Sequence, residues 1–153
     1  MVIHAISLPP GVFGNDCIER LFTNTLDFDA HPYFQEIRGL EVSSHFLVRR
    51  SGEVVQFVST ENRAWHAGES FFYGRPRVND FSVGVELEGV DDGVFEPRQY
   101  TSLIDLGTAL LARYPAIGIE RICGHSDIAP GRKTDPGPGF DWGRFRRGLC
   151  RYI

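Results

Sequence analysis

Cysteine is scarce in this chain. There are three among 153 residues, Cys17, Cys123 and Cys150, an odd number with no CxxC pair. That argues against a disulfide framework or a cysteine-built zinc site and leaves free thiols in a reducing cytoplasm as the plain reading. A surplus of positive charge is missing too: 16 Lys and Arg stand against 20 Asp and Glu, a net charge of -4. Neither nucleic acid nor an anionic membrane surface is expected as a partner. No apolar run is long enough to cross a bilayer. The opening "MVIHAISLPPGVFG" lacks a basic leader and a small-residue cleavage site, so no signal peptide is expected. Repeats, low-complexity tracts and linkers are absent as well.

What is there is an ordinary globular composition, 42% hydrophobic and 24% charged. The length suits a single domain over residues 1–153 with a real core. "VIHAI" predicts a strand buried on both faces. "CIERLFTN" and "HPYFQEIRG" predict short helices, and "VSSHFLVRR" and "EVVQFVS" predict strands around a Ser51-Gly52 turn. "RAWHAGESFFYGRPRVND" reads as a long aromatic loop of a kind that is usually functional. In "FSVGVELEG" the alternation puts Val83, Val85 and Leu87 on one strand face and Gly84, Glu86 and Glu88 on the other. "PRQYTSLIDLGTALLARYP" has helical periodicity between Pro97 and Pro115. "RICGH" predicts a last strand, and "DWGRFRRGLCRYI" a closing helix capped by Asp141. Strands with helices between them predict an α/β or α+β fold with one central sheet.

The chemistry concentrates in "GHSDIAPGRKTDPGPGF", a loop too polar and too broken by Pro and Gly to be core. It carries His125, Lys133 and Asp135. Alone, His4 inside an apolar strand reads as a core histidine and Asp135 as a turn residue. Together, His4, His125 and Asp135 match the three N/O ligands expected of a catalytic zinc site with its fourth position left to water, although spacing along the chain does not by itself place them around one atom. No HExxH is present, so the site is not that of a zincin. Such a site needs a base and a cation for a developing oxyanion. Glu86 and Lys133 are the candidates, weighed against a solvated strand face, the plainer account of Glu88, and a surface lysine beside Arg132.

The ordered set "VIHAISLPPG", "RRSGEVVQFV", "RAWHAG", "NDFSVGVELEG" and "GHSDIAPGRKTDPGPGFDW" resembles the cytoplasmic N-acetylmuramoyl-L-alanine amidases of AmpD type over nearly the whole chain. The resemblance implies a central mixed sheet flanked by helices, with a zinc groove on one side. It implies His4, His125 and Asp135 as Zn2+ ligands, Glu86 and Lys133 as catalytic residues and Arg77 as a substrate-binding arginine. Trp65 and His66 would lie near the groove, as sugar contacts or as packing of the long loop. The implied reaction cleaves the amide between N-acetylmuramic acid and L-alanine of muropeptides, preferably the 1,6-anhydro form, in cell-wall recycling. A cytoplasmic monomer with a muropeptide as its partner is the corresponding expectation.

Three departures stand against that pattern. Ala5 follows His4 where many members have Asn, and Glu41 stands where an arginine for the stem peptide is expected. The chain also starts three residues before His4, whereas relatives carry a further N-terminal segment, so either the start is trimmed or the first strand has less support. The alternatives are an exported or phage-type amidase digesting intact peptidoglycan, and a non-catalytic peptidoglycan-binding module. The second requires a missing ligand, and none is missing.

Overall fold

The computed structural model describes residues 1–150. The apolar opening run forms β1 (Val2–Ile6). There follow α1 (Cys17–Phe22), α2 (Pro32–Glu36), β2 (Phe46–Val48), β3 (Val54–Gln56), β4 (Phe71–Phe72), β5 (Arg75–Pro76) and β6 (Gly84–Glu88). The chain closes with α3 (Pro97–Arg113), β7 (Cys123–Gly124), α4 (His125–Ile128) and α5 (Trp142–Leu149). Five strands make one mixed sheet in the order β3-β2-β6-β1-β7, with β3 antiparallel to β2 and the other pairs parallel. β4 and β5 form a separate small hairpin.

The two faces of the sheet do different things. Ile3, Val85 and Leu87 point into a core with Leu103 and Leu110 of α3 and Phe145 and Leu149 of α5. α3 begins where Pro97 sets the first turn and Gln99 Oε1 accepts the Glu96 N–H at 2.9 Å, and it ends before Pro115 as its periodicity predicts. The Gln99 side chain is fully buried, and its amide donates to the carbonyls of Val48 and Glu88, tying α3 to β2 and β6. On the opposite face Leu47 packs with Leu8, Ile18, Leu21, Phe22 and Phe34 under α1 and α2. The same face carries His4 and Glu86.

Register puts those two together. β1 and β6 are parallel neighbours in which His4 is paired with Glu86, and partners opposite each other share a face.

Several expectations need correction. The strands expected in "VSSHFLVRR" and "EVVQFVS" shrink to three residues each, although backbone hydrogen bonds from Phe57 to His45 and from Arg49 to Glu53 continue the pairing on either side. His125 opens a helix instead of ending a strand: the Asp127 carboxylate accepts the Gly124 N–H at 2.7 Å and starts the turn one residue earlier. Glu88 is not on a solvated face. β6 is a central strand, Glu88 is 2% exposed, and its carboxylate accepts N–H groups of Gly14 at 2.6 Å and Arg50 at 3.0 Å. The closing helix is capped by Asp141, which accepts the Arg144 N–H at 2.8 Å. Its expected last turn, at 151–153, lies outside the described residues.

Candidate metal centre

His4 comes from the middle of β1, His125 from the first turn of α4 and Asp135 from the loop that follows. That loop is held against α4 by the Ser126 N–H, which donates to the Asp135 carbonyl at 3.0 Å. The three side chains close a triangle: His4 Nδ1 lies 3.0 Å from His125 Nδ1, and each lies 3.2 Å from Asp135 Oδ2.

The protons on these rings follow from their outer partners. His125 Nε2 faces the Ala67 carbonyl at 3.0 Å, which only accepts, so Nε2 carries the proton and Nδ1 is bare. The Ser82 hydroxyl is committed to the Val78 carbonyl at 2.7 Å, so His66 Nε2, 3.1 Å from Ser82 Oγ, must donate to it. His66 Nδ1 is then an acceptor and takes the proton of His4 Nε2 at 2.9 Å. His4 Nδ1 is bare as well. Burial holds the His4 imidazole down at about 4, so it is neutral near pH 7.

Two imidazole lone pairs and a carboxylate therefore face one another at hydrogen-bond distance with no proton between them. A divalent cation resolves that repulsion. Ligands on a tetrahedral zinc, bound at about 2.0–2.2 Å, stand roughly 3.4 Å apart, close to the sides of this triangle. The donor set fits zinc.

Glu86 stands beside it, with Oε1 4.0 Å from His4 Nδ1 and Oε2 buried without a hydrogen-bond partner. Burial pushes its carboxyl well above the usual range, the Asp135 charge adds to the rise, and the Lys133 charge opposes it. A buried carboxyl that takes up a proton readily is suited to shuttling one. Lys133 reaches the same groove from the loop.

The groove has a volume of about 370 Å³ and is lined by the triangle, Glu86 and Lys133 together with Ala5, Trp65, Leu21, Tyr33 and Leu40. A larger hollow of about 980 Å³ lies at the other ends of the parallel strands, beside Val2, Tyr114 and Cys123, and holds none of these five residues. Chemistry decides between them.

The other candidates separate. Trp65 is at the groove's rim, 54% exposed, with the Arg63 guanidinium over its ring at 4.1 Å. His66 is only 8% exposed, and both its ring nitrogens are taken by His4 and Ser82, which leaves none for a sugar. Arg77 is not brought to the groove. Its backbone is left-handed at φ 60° and its exposed guanidinium pairs with Asp80 at 3.2 Å, both set by the turn after β5. Ser82 and Asn79 were missed from sequence because nothing distinguishes a buried Ser or Asn in a loop from a solvated one.

The chain matches the family model of N-acetylmuramoyl-L-alanine amidase over residues 1–138. It belongs to that family. Within the family it is 57% identical to the 1,6-anhydro-N-acetylmuramyl-L-alanine amidase AmpD of Enterobacter cloacae, over 95% of this chain and 77% of that one. The crystal structure of a selenomethionine AmpD derivative superposes with a TM-score of 0.95 at 55% identity, covering 97% of this chain and 82% of that one. AmiD of E. coli, solved in complex with anhydro-N-acetylmuramic acid-L-Ala-D-γ-Glu-L-Lys, is more distant: 34% identity, TM-score 0.68, with 96% of this chain and 55% of that chain covered.

Proposed function

We propose that this protein is a zinc-dependent amidase, its described chain acting as one catalytic domain, that cleaves the amide between N-acetylmuramic acid and L-alanine of muropeptides. The triangle of bare donors beside a buried, unpartnered Glu86 carries the reading. His4, His125 and Asp135 would hold the metal. When bound, zinc supplies Lewis acidity toward a carbonyl and a water. Glu86 takes a proton from the water as its oxygen attacks the lactyl carbonyl carbon, and passes that proton to the alanine nitrogen as the C–N bond breaks. Lys133 donates to the oxyanion that forms in between. The products are a free lactyl carboxylate and a peptide with a free amine.

Preference for the 1,6-anhydro sugar is supported by the AmpD relatives, whose names carry that substrate, and by the anhydro-muropeptide bound to AmiD. Cell-wall recycling by a cytoplasmic monomer goes with that preference. No helix among the described residues is long and apolar enough to cross a membrane. Trp65, at the rim, is the candidate for stacking on a sugar.

The test is turnover on two matched muropeptides, one ending in the 1,6-anhydro sugar and one in the reducing sugar. Strong preference for the first is expected; equal rates would point to digestion of intact wall. Glu86→Gln should retain stoichiometric zinc and lose roughly 100- to 10,000-fold in kcat. Near-normal turnover would remove Glu86 from the mechanism.

A further inference from the structure

The outer nitrogens of both histidines end on adjacent residues of one segment. His4 Nε2 meets the His66 ring at 2.9 Å, and His125 Nε2 meets the carbonyl of Ala67 at 3.0 Å. That pair is itself gripped from behind. The buried Asn79 carboxamide oxygen accepts the N–H of His66 at 3.0 Å and of Ala67 at 2.8 Å. Ser82 fixes the far side of the His66 ring. Gly84 of β6 makes room for it, since a Cβ there would collide with the His66 ring.

We propose that His66 and Ala67, clamped by Asn79, Ser82 and Gly84, are positioning residues that turn the Nδ1 lone pairs of both histidines into the triangle before metal arrives. The inference rests on the assignment of His4 and His125 as ligands. A neutral imidazole exchanges its proton between two nitrogens, and only one tautomer presents Nδ1 to a metal. An acceptor fixed at each Nε2 selects that tautomer and stops the ring from swinging. His66 is thus a histidine next to the centre that is not one of its ligands: its acceptor nitrogen points at His4 Nε2, away from Asp135.

The experiment is Zn2+ affinity of the full chain, read by competition with a chromophoric chelator. His66→Leu removes the acceptor and should weaken binding roughly 10- to 100-fold. His66→Asn keeps an amide oxygen near the place of Nδ1 and should recover most of the loss. A ring that merely fills space would leave both variants equally weak. Ser82→Ala, a smaller change that keeps the fold, strands the His66 Nε2–H and should weaken binding about tenfold. Wild-type affinity in His66→Leu and Ser82→Ala, or equal loss in His66→Leu and His66→Asn, overturns the positioning role and leaves the ligand assignment standing. A wild-type chain that binds no zinc overturns the ligand assignment, and the inference with it.

Discussion

At the scale of single residues the site is a problem of charge. Three donors and Glu86 are crowded in a largely dry place; Lys133 lines the groove beside them from an exposed loop, and the Arg132 guanidinium stands behind His125, donating to the Ala67 carbonyl at 2.7 Å. If Lys133 serves the oxyanion, Lys133→Ala should lower kcat roughly 100- to 1,000-fold while zinc affinity stays close to wild type. A proportionate loss of zinc would make it an electrostatic part of the metal site. His4, His125, Asp135, Glu86 and Lys133 could all be singled out as candidates in the sequence, because metal and acid–base chemistry draw on few residue types, and the fold brings all five to one groove. Arg77 was named from resemblance, and its side chain went elsewhere: an ion pair with Asp80 three residues on is reached locally, whereas a groove contact depends on where the whole hairpin lies.

Among the elements, β6 carries two functions on one face. Glu86 faces the centre, and Glu88, two residues on, anchors the loop after β1 and the turn between β2 and β3 through Gly14 and Arg50. Glu88→Ala should cost about 1–3 kcal/mol of stability, since it leaves backbone donors without their acceptor. Urea unfolding measures this, and an unchanged midpoint would assign both N–H groups to water. Alternation identified the polar face of β6 but could not say what covered it. Its depth follows from β1 and β2 flanking it on both edges, and pairing between distant strands leaves no local trace. The long helix was legible almost to its ends, because Pro97 and Pro115 act within one turn of themselves. The start of α4 was not, since an Asp side chain reaching back to Gly124 looks like any loop Asp.

For the whole molecule, the centre joins β1 to residues more than a hundred positions later, so metal should stabilise the fold and not just the site. Stripping zinc with a chelator should lower Tm, because a ligand bound only by the folded state adds stability as its concentration rises above Kd, about 2.7 kcal/mol at a hundredfold excess. Asp135→Ala should lie at the lower Tm with or without zinc. A zinc-dependent rise in that variant would show that the ion binds elsewhere. The sequence by itself determined which residues could do the chemistry: a two-His, one-Asp donor set, a glutamate on a strand's polar face, the apolar run of the first strand, the alternation of the sixth and the periodicity of one long helix. Tertiary structure alone decided which nitrogen each histidine turns inward, that the His66 ring lies between His4 Nε2 and Ser82 Oγ, and that Glu86 is buried beside the triangle. Those depend on the parallel register of β1 with β6 and on a loop folded behind both, and distances across a sheet are not written in the order of residues along a chain.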